Sequence, residues 1–165
     1  MVESLILGFG LASLAAAWLF NMRVQSVSVE KGASSPEESE RLIKIAKAIR
    51  DGAMAFLFRE YRTLAVFILV FAAVIAFLID DPATTGVREG MYSSVAFVVG
   101  AVTSILAGFI GMRTATAGNV RTAVSARESL EKGFVTAINA GAVMGFGLSG
   151  LAVLGMLGCY MTLSK

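Results

Sequence analysis

A chain of 165 residues is the right length for one soluble domain. Its composition argues otherwise: 56% of residues are hydrophobic and 16% charged, against about 25% charged in ordinary globular domains. The absence of histidine excludes a His-ligated metal site, the single cysteine excludes an intrachain disulfide framework, and a net charge of +2 gives no reason to expect nucleic acid. The composition is that of a membrane protein.

Charged residues are missing from four stretches: Ser4–Met22, Thr63–Ile79, Gly90–Met112 and Gly133–Ser164. A hydrocarbon core about 30 Å thick needs roughly 20 helical residues, so each stretch is long enough for one crossing. The expected fold is all-α and integral to the membrane, with four transmembrane helices over approximately 4–22, 63–80, 90–112 and 133–162. The first stretch lacks the basic leader of a signal peptide and is read as a retained span. The second is short, and Arg59 and Arg62 can lay their stems along it while their charges stay at the interface.

Between the first two spans, Ser35 and Glu38 form a capping box, with Pro36 at the first helical position. Leu42, Ile45, Ala46, Ile49, Ala53 and Phe56 then recur at helical spacing opposite Glu40, Lys44, Lys47 and Asp51. The spacing predicts an amphipathic helix over 36–62 that continues into span 2. Its polar face mixes acids with bases, whereas helices that lie on lipid carry mostly Lys and Arg there.

Eight basic residues lie between Met22 and Thr63 and four more in the segment Gly111–Lys132, which is read as a loop. The loop over 80–90 has only Arg88, against Asp80, Asp81 and Glu89. The excess of Lys and Arg marks the cytoplasmic side, so the amino terminus should face outside, in a multi-pass protein of the plasma membrane.

Inside the membrane, helices associate through close backbone approach, which small residues permit. Gly100, Ser104 and Gly108 in span 3, and Gly141 and Gly145 in span 4, are the expected packing positions. No ionisable residue falls near the centre of a span, and three scattered aspartates (Asp51, Asp80 and Asp81) cannot assemble a hydrolytic metal site. No catalytic, cofactor-binding or metal-binding residue is expected. The nearest thing to a site is the Gly111–Lys132 loop, where Arg113, Asn119 and Arg121 could meet phosphate or lipid headgroups.

Three blocks carry a family resemblance: GAMAFLFREYRTLAVF over Gly52–Phe67, GAVTSILAGFIGMRTATAGNVRTA over Gly100–Ala123, and AINAGAVMGFGLSGLAVLG over Ala137–Gly155. In that order they resemble the amino-terminal part of membrane-bound pyrophosphatases, the ion pumps driven by pyrophosphate. The resemblance implies a bundle of about sixteen helices, so the four expected here supply about a quarter of it. It also implies a homodimer, Mg²⁺-pyrophosphate as substrate, export of H⁺ or Na⁺, and in some members a response to K⁺. The aspartate-rich motifs of that family have no counterpart among these residues, so this segment should be non-catalytic, its partners being the remaining helices of the pump. Two alternatives start from the residues alone: a four-span accessory protein, or a small exporter.

Overall fold

A continuous helix satisfies every backbone N–H and C=O in lipid without help from water. The computed structural model describes residues 2–30, 33, 35–79 and 89–163 and contains, among these, four helices: α1 (Val2–Ser26), α2 (Pro36–Leu78), α3 (Glu89–Glu128) and α4 (Leu130–Leu163). All four are long and apolar enough to cross a membrane. The protein is all-α and integral to the membrane. The acidic turn expected around Asp80, Asp81 and Arg88 lies outside the described residues, as do Lys31, Ser34 and Lys165.

The start of α2 follows from its cap. Ser35 is extended (φ −147°, ψ 157°) and its hydroxyl accepts the Glu38 N–H at 3.2 Å, with Pro36 next in line. From there α2 runs 43 residues without a break, about 65 Å at 1.5 Å per residue. The amphipathic segment and the second apolar stretch are therefore one rod, twice as long as a bilayer core is thick.

The expected loop over Gly111–Lys132 is not a loop. Helix α3 continues to Glu128 and α4 begins at Leu130, leaving only Ser129 between them. The segment has no proline, and Ser129 does the turning: its hydroxyl accepts the Lys132 N–H at 3.1 Å, an N-cap for α4. Gly133 makes room for the reversal, since a Cβ there would sit 2.6 Å from the Ala126 Cβ and 2.8 Å from its Cα.

The helices stand in a row, in the order α2, α3, α4, α1. Helix α1 only brushes α3, and α2 meets neither α1 nor α4. Each neighbouring pair is joined by a close approach and by a hydroxyl. Tyr61 Oη donates to the Ile105 carbonyl at 2.7 Å and Ser94 Oγ to the Ala72 carbonyl at 2.8 Å, joining α2 to α3. Ser13 Oγ donates to the Phe146 carbonyl at 2.8 Å, joining α1 to α4. Thr136 and Ser125 share a hydrogen bond at 3.0 Å between α4 and α3. Each carbonyl has a second lone pair to offer beyond its helical bond, which is how spans are tied without interrupting either ladder.

These contacts also fix levels. Met144 on α4 stands beside Gly111 on α3, and Phe20 on α1 stacks on Phe146 at 5.8 Å. Just beyond, Arg23 lies over the Phe20 ring at 5.4 Å and Arg113 over Phe109 at 5.9 Å. Rings inside and guanidiniums outside mark one edge of the apolar slab. Helix α2 is registered differently. Tyr61 meets Ile105, about two turns inside the charge-free stretch that ends at Met112, so Arg59 and Arg62 lie deeper than Arg113.

Gly150 meets α1 closely enough that a Cβ would lie 2.9 Å from Leu14 and 3.0 Å from the Gly10 carbonyl oxygen, while a Cβ at Gly145 would meet nothing within 4 Å. Gly150→Ala should therefore destabilise the chain by about 1–3 kcal/mol in detergent-denaturation titrations. Gly145→Ala should be neutral or raise stability by up to about 1 kcal/mol, through helix propensity alone. Equal losses from both would contradict this packing.

Candidate functional site

The extension of α3 beyond Met112 carries the residues with the best chemistry, but as a helix it disperses them. Arg113 is exposed and engaged with Phe109. Asn119 is exposed, and at 100° per residue it points away from both arginines. Arg121 is half-buried between helices: Nη1 donates to the Ala117 carbonyl at 2.9 Å and Nη2 to Gln25 Oε1 at 2.8 Å. Its Nε is buried with no hydrogen-bond partner. Arg113, Asn119 and Arg121 do not converge on a common point.

Burial, and then the nearby positive charge of Arg50, lower the Arg121 pKa from its ordinary value. An arginine starts so high that it remains a cation. Its partners are both neutral oxygens, so the guanidinium acts as a tie between α3 and α1. Gln25 is the residue that sequence reasoning missed here, and a glutamine at the end of an apolar helix gives no signal of it.

Elsewhere at this end the charges neutralise one another. Glu38 pairs with Arg127, tying the start of α2 to the end of α3. Glu128 accepts from Lys132 Nζ at 2.5 Å, which raises the lysine above its ordinary value. Both pairs are well exposed and add little to stability. A cleft of about 620 Å³ opens where α1, α3 and α4 meet, lined by residues that include Arg23, Ser125, Glu128, Lys132, Thr136 and Asn139. With both signs of charge on its walls, it is not a phosphate cradle. Nor do the residues fit a metal: among those described, no group of three or more His, Cys, Asp or Glu could hold an ion.

The expected packing residues divide as well. A Cβ at Gly108 would meet Tyr61 Oη at 3.2 Å, so this glycine serves the α2–α3 contact. Gly100 and Ser104 border a groove of about 480 Å³ between α3 and α4, walled on the other side by Leu148, Ala152, Met156 and Cys159. Gly100, Gly141 and Gly145 have nothing within 4 Å of an added Cβ. The tightest contacts within the row belong to other glycines, Gly10, Gly90, Gly118, Gly133 and Gly150. Sequence shows a small residue at each of these positions but not which face of the helix a neighbour covers.

A family profile described as inorganic H⁺ pyrophosphatase matches residues 11–165. The chain belongs to that family. Among its relatives is a K⁺-insensitive pyrophosphate-energized proton pump of Moorella thermoacetica, 41% identical over 129 residues, 78% of this chain and 17% of the relative. A proton pump of the same description from Methanosarcina mazei is 37% identical over 123 residues, 74% of this chain and 17% of the relative. A third, from Clostridium tetani, is provisionally named a K⁺-stimulated pyrophosphate-energized sodium pump and is 42% identical over 107 residues, 65% of this chain and 14% of its own length. No solved structure matches the chain significantly. The chain thus spans about 17% of the length of the curated relatives it matches.

In this family member, the Arg121–Gln25 hydrogen bond links α3 to α1. A double-mutant cycle of Arg121→Met and Gln25→Leu, read by detergent unfolding, should give a coupling of about 0.5–1.5 kcal/mol. Zero coupling would mean that water serves the guanidinium equally well.

Proposed function

We propose that this chain supplies the amino-terminal, non-catalytic helices of a pyrophosphate-energised pump that hydrolyses Mg²⁺-pyrophosphate and exports H⁺ or Na⁺. The observation that carries the reading is a family match from residue 11 to residue 165 in a chain spanning about 17% of its relatives' length. Hydrolysis of so charged a substrate calls for several carboxylates gripping metal ions that bridge the phosphoryl oxygens. Here Glu38 and Glu128 are committed to Arg127 and Lys132. Metal, substrate and any K⁺ response then belong to helices elsewhere in the pump.

The part left to this segment is mechanical. A row of four helices exposes both its faces, and the open strip over Gly141 and Gly145 admits another backbone at close range. We place the basic end in the cytoplasm because 12 of the 14 Lys and Arg residues fall there, with the amino terminus outside the plasma membrane. The pump would work as a homodimer, by the same resemblance.

Two measurements test this. The purified chain, given pyrophosphate and Mg²⁺, should release no phosphate above the buffer rate, and turnover would overturn the non-catalytic assignment. In a complete pump carrying this segment, Gly141→Leu with Gly145→Leu should cut assembly and hydrolysis by about tenfold or more, the equivalent of about 1.4 kcal/mol in helix docking. An unchanged dimer with full activity would sink the scaffold role.

A further inference from the structure

Arg59 and Arg62 take no part in the side-chain bonds that join the helices. Neither guanidinium has an ion-pair or hydrogen-bond partner among the described residues. Both sit on the membrane half of α2, and the Tyr61 bond to Ile105 places them inside the level of Arg113. That bond also sets the rotation of α2. With Tyr61 turned towards α3, the residues near 180° around the helix face away from the row. These are Arg59, Thr63, Val66 and Val70, with Arg62 and Phe67 on either side.

Together the six line an open groove of about 730 Å³ along the outer face of α2. Its lower end is cationic and its upper end wholly apolar. Thr63 sits at the junction, its hydroxyl only weakly held by the Arg59 carbonyl at 3.5 Å. Unpaired arginines at this depth are costly unless their charge reaches polar headgroups or an anion. Side chains on a helix lean towards its amino terminus, here the basic end, so both guanidiniums lean towards the nearer headgroup layer.

We propose that this groove binds an anionic glycerophospholipid from the leaflet at the basic end. Arg59 and Arg62 grip its phosphate, Thr63 donates a further hydrogen bond, and an acyl chain lies over Val66, Phe67 and Val70. Two observations favour lipid over another protein helix as the occupant. The first is charge complementarity: two free cations one turn apart match a phosphate diester, and the acid between them in sequence, Glu60, is turned about 100° from Arg59 and does not line the groove. The second is residue size. From Thr63 to Ile79 the sequence TLAVFILVFAAVIAFLI contains no glycine, and three of its four alanines (Ala65, Ala72 and Ala76) lie on the Tyr61 side, whereas faces that receive helices are rich in small residues. Helix α2 also ends the row, where bulky Val66, Leu69 and Val70 are 64%, 72% and 60% exposed. The inference rests on the membrane placement alone and does not depend on pump activity.

The test is native mass spectrometry of the full chain, released from detergent after titration with phosphatidylglycerol or phosphatidylcholine of the same acyl chains. Wild type should hold phosphatidylglycerol in preference by about tenfold, as expected for two interfacial arginines. Arg59→Gln with Arg62→Gln should bring the two lipids to parity, while Arg59→Lys with Arg62→Lys keeps most of the preference and shows that folding is not at issue. Phe67→Ala should weaken both lipids alike. Arg41→Gln with Lys44→Gln, on the soluble part of α2, should change nothing. Parity in wild type, or equal loss in the Arg41/Lys44 control, would overturn the site. Displacement of the lipid by millimolar inorganic phosphate would also overturn it, by making the groove a soluble-anion site.

Discussion

Lipid gives two helices no hydrophobic reason to pair, so what holds these four together is close backbone approach and the hydroxyls it brings within reach of carbonyls. Every neighbouring contact in the row shows the combination. Gly150 lets α4 settle against α1 where Ser13 reaches the Phe146 carbonyl. Gly108 lets Tyr61 cross to the Ile105 carbonyl, and Gly118 and Gly133 bring α3 and α4 close enough for Ser125 to meet Thr136. Remove the small residue and the hydroxyl beside it loses its acceptor. Packing and hydrogen bonding are one constraint here.

That constraint explains why the row stays open. A closed bundle would need small residues on two faces of every helix, and in the spanning half of α2 the alanines Ala65, Ala72 and Ala76 gather on the Tyr61 side that meets α3. On that side it is tied through Tyr61 and through Ser94 reaching Ala72. Helices α3 and α4 have small residues to spare, and those left over, Gly100, Gly141 and Gly145, have no described atom within 4 Å of an added Cβ. A row with a lipid-like edge at α2 and a receptive strip along α4 is asymmetric, as one flank of a larger bundle would be.

Much of this was legible beforehand. Four charge-free stretches gave four helices, and Ser35 with Glu38 marked where α2 begins. The segment 111–132 was misread because its arginines, threonines and serines look like a loop in composition. What matters physically is that nothing in it breaks a helix until Ser129 supplies a cap for the next one. The packing glycines were recognisable as a class but not individually, because a residue's face has meaning only once the neighbour is placed. Gln25 as the acceptor for Arg121 could not have been read, since it depends on two helices meeting at a distance of 96 residues.

The depth of Arg59 and Arg62 belongs to the same unreadable category, and it changes how the second span is understood. From sequence the span looks short, with arginines waiting outside it. In the structure, α2 is slid along α3 so that the apolar slab, as marked by Phe20, Phe109 and Phe146, takes in residues before Thr63. The slide is set by Tyr61, whose hydroxyl must find a carbonyl, and by Gly90, where a Cβ would lie 2.8 Å from the Ala76 carbonyl oxygen at the other end. Two fixed points on a rigid rod leave no freedom to withdraw the arginines. They are held at the inner edge of the slab by contacts made on the opposite face of the helix, and the chemistry there has to accommodate the charge.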